Sequence, residues 1–256
     1  MTSLHRGFAP ASYAGTPPAS AVRDTTSPTL MRRYEIAYLR PDLLPEFDQI
    51  VAPATPLFEN CAAALARGTL IDTVSGPVAI EDLMPGDYIQ TAMGPEPVTW
   101  IGSTSYIPNR ADDATSLTSL TRVTSGAMGL GQPPMDLLFG PAARMVVRHP
   151  KLKSLLGNET VLAPLTDYID GDRYLDITPA GTVEMYHVMV RRHTTLKVGG
   201  VEVETFHPGN DASQQFGAKT RALFMALFPH LETLGDFGET CAMRTSREMI
   251  DKLTNS

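Results

Sequence analysis

Between Gly68 and Pro208 the chain is a succession of short β-prone runs separated by turn residues, and that texture constrains its fold more than any other feature. "GTLIDT", "DYIQT", "EPVTWIGSTSYI", "MDLLFG", "ARMVVR", "TVLAPL", "VEMYHVMV" and "TTLKVGGVEVETF" are each rich in β-branched and apolar side chains. Runs of that length and spacing predict an all-β domain. The Gly-Gly pair in "VGGVEVETF" lies between alternating apolar residues and predicts a hairpin, because adjacent residues that accept positive φ make the tight turn.

The flanks read differently. Residues 1–57 are rich in Pro, Ala, Ser and Thr, as in "GTPPAS" and "TTSPTL", and are expected to form a flexible arm. Only "MRRYEIAYL" there has enough apolar periodicity to order locally. The β domain is placed at 58–210, and 211–256 is expected to be helical, with Phe216, Leu223, Phe224, Leu227, Phe228 and Leu231 near helical spacing. Asp211 or Ser213 is a candidate cap for the first helix, and a second short helix is expected over Glu239–Leu253. Such apolar helices pack on the β domain or on a partner rather than stand alone in water. Trp100, in "VTWIG", is expected in the core.

A chain of 256 residues with 43% hydrophobic content can bury a full core. Its net charge of -7 and pI of 5.3 argue against nonspecific nucleic-acid binding, which needs a surplus of Lys and Arg against phosphate. The longest apolar stretch near the C-terminus, "ALFMALF", is far short of the roughly 20 residues of a membrane span. Neither a transmembrane segment nor a signal peptide is read, which leaves localisation open: cytoplasmic by default, with secretion by a non-classical route as the alternative. Cys61 and Cys241 allow one disulfide at most. "GAMGLGQ" lacks the Lys-Ser/Thr of a phosphate loop and reads as a turn.

Three blocks, taken in order, resemble a known family. The first is "ALARGTLIDT" followed by "VAIEDLMPGDYIQTA" and "PEPVTWIGS", where Pro85 and Gly86 make a specific turn between strands. The second is "MDLLFGPAARMVV" and the third "YHVMVRRHTTLKVGGVEVETFHPG". Together, over roughly residues 61–210, they resemble the Hint (hedgehog/intein) superfamily, and specifically the bacterial Hint-type domains of alphaproteobacteria. The resemblance implies an all-β Hint-like fold with a C-terminal helical extension. It also implies a chemistry, in which a first-block Cys attacks the preceding carbonyl and turns an amide into a thioester. A second-block Ser or Thr and a His polarise that amide and protonate its leaving nitrogen.

Carried onto this chain, the nucleophile position falls on Ala64, ahead of the Gly68-Thr69 pair, while the Ser and His positions fall on Gly140 and Ala143. Alanine has neither a proton to give nor a lone pair to attack with. The resemblance therefore implies a Hint domain without autoprocessing, kept as a peptide- or protein-binding or scaffold module rather than as an enzyme, with no cofactor and no metal. The alternative is a cysteine-dependent N-to-S acyl shift before Cys61 or Ala64 that releases the N-terminal arm.

Cys61 lies three residues before the matched position and would serve only if the chain bulged there. Thr69 is expected to bond to the backbone. His193 and His207 match third-block positions and either line the remnant cleft or pin a strand end, whereas His149 lies six residues past Ala143, about 20 Å along an extended strand at the rise of about 3.3 Å per residue. The spacing of His187, His193 and His207 with Asp211 follows no metal-ligand pattern.

Overall fold

The computed structural model describes residues 30–108, 115–210 and 217–255. Among these residues sixteen strands join into one sheet network, antiparallel except for one parallel pair. The N-terminal part holds β1 (Met31–Leu39), β2 (Pro45–Pro53), β3 (Leu65–Ala66), β4 (Leu70–Thr73), β5 (Gly76–Ala79) and β6 (Tyr88–Thr91). The spine is β7 (Gly94–Tyr106), followed by β8 (Leu120–Val123), β9 (Leu137–Phe139), β10 (Arg144–Arg148) and β11 (Thr160–Pro164). Then come β12 (Tyr174–Ile177), β13 (Val183–Val190), β14 (Thr195–Val198), β15 (Val201–Glu204) and β16 (Met243–Arg244). Among the described residues helices are few and short: α1 (Pro56–Glu59), α2 (Pro150–Leu156), α3 (Ala218–Ala226) and α4 (Arg247–Asn255).

The 13-residue β7 can serve both halves of the network because its first residues pair with β6 while its later ones pair with β13 on one edge and β1 on the other. Gly199 and Gly200, both at positive φ, close the β14–β15 hairpin that the Gly-Gly pair predicts. The all-β fold with a C-terminal helical extension is as expected.

Two boundaries differ from the sequence expectation. Residues 31–53 are not part of a loose arm: β1 and β2 form a hairpin in full register, and β1 continues the sheet by pairing Glu35–Tyr38 with Trp100–Ser103. Tyr34 and Ile36 face inward and are buried, and burying such side chains is what offsets the entropy of ordering the segment. Residues 1–29 of the expected arm lie outside the described residues, as do Asp211, Ser213 and Phe216. In the C-terminal segment Gly217 occupies the cap position of α3. The second helix begins at Arg247 rather than Glu239, because Met243 and Arg244 pair with β11 and the Thr245 N–H donates to the Leu162 carbonyl.

Two hydrophobic cores result. The larger fills the β domain around Ile71, Ile89, Phe139, Val188 and Val201. The smaller gathers the N-terminal hairpin, α1 and α3 around Trp100, whose indole N–H donates to the Leu227 carbonyl at 2.6 Å and whose ring lies 4.6 Å from Phe228 and 5.5 Å from Phe206. Trp100 is a core residue, as its strand context predicts.

Glu59, at the end of α1, ties these parts together. It is fully buried, yet its carboxylate accepts from Arg32 Nε (3.1 Å), the Ser116 N–H (2.6 Å), Ser116 Oγ (2.7 Å), the Leu117 N–H (3.2 Å) and Thr115 Oγ1. A buried carboxylate is tolerated only when it is paired and hydrogen-bonded in this way.

Candidate functional site

The peptide bond between Ala63 and Ala64 is where the first block would place the reacting centre. Just before β3, it lies between two neighbours. On one side the Ala64 N–H donates to the Tyr186 carbonyl (3.0 Å). On the other, the Ala64 carbonyl accepts from the Gly140 N–H (2.9 Å) and the Ala63 carbonyl from the Ala142 N–H (3.0 Å). The turn Gly140–Ala143 is thus clasped onto this bond, and it closes on itself through an Ala143 N–H to Gly140 carbonyl bond of 3.1 Å.

Contact at Gly140 is closer than any side chain permits. A Cβ there would stand 2.2 Å from the Ala63 carbonyl oxygen, 2.8 Å from its carbon and 2.9 Å from Cε of Met185. Ala63, Ala64, Ala142 and Ala143 are all buried. Three sequence-predicted positions, Ala64, Gly140 and Ala143, therefore do meet in space. What they bring together is the Ala63 carbonyl under one backbone donor, the Ala142 N–H, lined by the methyl groups of Ala64 and Ala143 and the bare Cα of Gly140. Gly68 and Thr69 close the turn after β3: the Gly68 N–H donates to Glu81 Oε2 (2.8 Å) and Thr69 Oγ1 to the Ala66 carbonyl (2.6 Å).

Cys61 lies elsewhere, in the smaller core beside Phe58 and Trp100, with its Sγ 3.6 Å from the Leu57 carbonyl. Burial pushes this thiol well above its ordinary pKa, so the nucleophilic thiolate is disfavoured. The carbonyl just before it, that of Asn60, accepts a hydrogen bond from His187 Nδ1 at 2.8 Å. That leaves His187 Nε2 buried and without a partner among the described residues. Burial holds the His187 pKa down to about 4, so the ring is neutral at pH 7.

His193 and His207 come together with ring centroids 4.9 Å apart, and both are structurally engaged. His193 Nδ1 accepts from the Cys241 N–H (2.8 Å), which places its proton on Nε2, shared between Glu204 Oε1 and the Thr205 carbonyl at 3.1 Å each. His207 accepts from the Gly209 N–H (2.9 Å) and donates to the Gly238 carbonyl (3.1 Å). Burial first, and then the neighbouring His193, lower its pKa to about 4. His149 caps α2 by accepting the Lys151 N–H (3.2 Å). Among the described residues no group of three or more His, Cys, Asp or Glu is arranged to hold a metal ion.

Sequence reasoning missed Glu204, Arg144 and Arg244. Glu204 is buried at the end of β15, between Arg244 Nε (2.8 Å), His193 Nε2 (3.1 Å) and Arg144 (3.9 Å). Burial alone would raise its carboxyl pKa; the His193 N–H and the two guanidiniums outweigh that and hold it below the ordinary range. The signal was present, since "VEVETF" puts a carboxylate in a strand whose neighbours are core residues, and such a charge needs partners.

The model of the Hint domain family matches residues 63–210, more than half of the chain, and the chain belongs to that family. Among solved structures it is similar to an intein-like domain from Clostridium thermocellum, at 18% identity over 57% of this chain and 99% of that one with a TM-score of 0.39. It is also similar to the gp41-1 intein, at 10% identity over 55% of this chain and 96% of that one with a TM-score of 0.35. A search of curated proteins returns no match. No described helix is long and apolar enough to cross a membrane.

Proposed function

We propose that this Hint-domain protein does not process itself and serves as a peptide- or protein-binding or scaffold module. The observation that carries the reading is the contact of Gly140 with the Ala63 carbonyl. The chain occupies the volume a catalytic hydroxyl would need, and the attacking position, Ala64, ends in a methyl group. Removing both the nucleophile and its proton partner removes two contributions to acyl transfer, of which acid–base help alone is typically worth 10²–10⁴-fold in rate.

One observation favours the competing reading, self-cleavage at Cys61. The His187 N–H donates to the Asn60 carbonyl, as an oxyanion-stabilising donor would. Against it stand the buried thiol, its raised pKa and its orientation toward Leu57. Incubation with hydroxylamine decides between them. A thioester at Cys61 would split the chain into pieces of about 6.5 and 21 kDa, at roughly 110 Da per residue, and Cys61→Ala would abolish the split. We expect no hydroxylamine-dependent fragment from either protein; Cys61-dependent fragments would replace the first reading with the second.

A further inference from the structure

Beside the histidine pair lies a cavity of about 150 Å³ whose walls include Leu57, Asn60, Arg144, His187, Phe206 and Phe224. Asn60, Arg144, Pro208 and Arg244 also line a wider opening of about 700 Å³, so the small cavity is the inner end of a funnel. Its lining is cationic, with Arg144 and Arg244 both at the wall. Arg144 and Arg244 share one carboxylate within ion-pair distance, Glu204, while Asp167 acts on Arg144 from farther away.

The two guanidiniums are not equivalent. Arg244 is engaged, donating Nε to Glu204 (2.8 Å) and a terminal nitrogen to the His207 carbonyl (2.7 Å). Arg144 pairs with Glu204 only at 3.9 Å, an ion-pair distance beyond hydrogen-bond reach. Its side chain is only 26% exposed, and burial together with Arg244 lowers its pKa from the arginine value. A largely desolvated guanidinium paired only at that distance is matched best by a planar two-oxygen acceptor. Glu204 close by disfavours a dianion, and Leu57, Phe206 and Phe224 offer apolar wall to a short hydrocarbon chain. In the same wall His187 Nε2 is a buried acceptor that lacks a donor.

We propose that this funnel is a monocarboxylate-binding site, with the carboxylate on the Arg144 fork and a short apolar chain in the inner cavity. The carboxylate belongs either to the C-terminus of a peptide or to a free organic acid. The proposal deepens the binding-module reading and rests on it for its biological use. The two fail separately: fragments in hydroxylamine overturn that reading, and loss of carboxylate preference overturns this one.

The test is titration of the full ¹⁵N-labelled chain with N-acetyl-leucine and isovalerate, each beside its neutral amide. Both acids are expected to shift the Arg144 Nε–H and His187 ring signals, binding about tenfold or more tighter than the amides, as a charge-assisted pair over a neutral one implies. Arg144→Gln is expected to abolish that preference, and Arg144→Lys, which keeps the charge without the fork, to reduce it; the Lys variant covers the case in which the Gln variant fails to fold. Tighter binding of N-acetyl-leucine supports the site and points to a peptide terminus; tighter binding of isovalerate supports it and points to a free acid. Equal binding of acid and amide, unchanged binding in the Arg144 variants, or tighter binding of inorganic phosphate than of either acid would overturn it.

Discussion

At Gly140 the absence of one side chain decides how the chain passes the site. A Cβ there meets the Ala63 carbonyl at 2.2 Å, so Gly140→Ala must push β3 and the Gly140–Ala143 turn apart. Overpacking of this kind costs about 1–3 kcal/mol, and chemical denaturation should show a loss in that range. It follows that a serine cannot be accommodated at this position without the same displacement. Glu59 gives a second test. Arg32→Ala would leave that buried carboxylate without its cation, and breaking such a pair costs about 3–5 kcal/mol, again measurable by denaturation. The equivalent loss at an exposed pair such as Arg40 with Asp42 should be under about 1 kcal/mol.

Among the elements, the β1–β2 hairpin changes the account most. The expected flexible arm would float away after a cut at residue 60 or 63. Instead β1 extends the sheet beside β7, Arg32 binds Glu59, and Tyr34 and Ile36 enter the smaller core. We therefore predict that residues 1–60 and 61–256, co-expressed as separate chains, copurify as one species in size-exclusion chromatography; separate elution would show that the hairpin holds too weakly. The hairpin was hard to read because β2 is exposed along most of its length, as Pro45–Gln49 show, so it carries no inward alternation. Its leading residues are also diluted by Pro- and Ser-rich sequence. By contrast the β14–β15 hairpin was legible, because its Gly-Gly turn is a local signal. The Arg144–Glu204–Arg244 cluster was not, because it joins residues up to 100 positions apart that only the fold brings together.

For the whole molecule, acid should be the weak side. His187, His207 and His230 have folded pKa values of about 4 against 6.5 for the free side chain, in each case chiefly through burial. Their contribution is complete above pH 6.5 and is lost as pH falls toward 4, where the unfolded chain binds protons that the folded one refuses. The slope is on the order of 1 kcal/mol per pH unit for the buried His187 and His207, and less for His230, which solvent partly screens. Glu204, with its lowered pKa, continues the loss at more acid pH. Thermal midpoints measured from pH 7 to pH 4 should fall steadily; a flat profile would contradict the burial of these rings.

All of this assumes a backbone that stays whole between the N-terminal hairpin and the β domain. The direct measurement is the intact mass of the purified protein after days of incubation at pH 7, with no added nucleophile. One species at the full mass of 27.7 kDa is expected. Spontaneous fragments with ends at Asn60 and Cys61, or at Ala63 and Ala64, would contradict it.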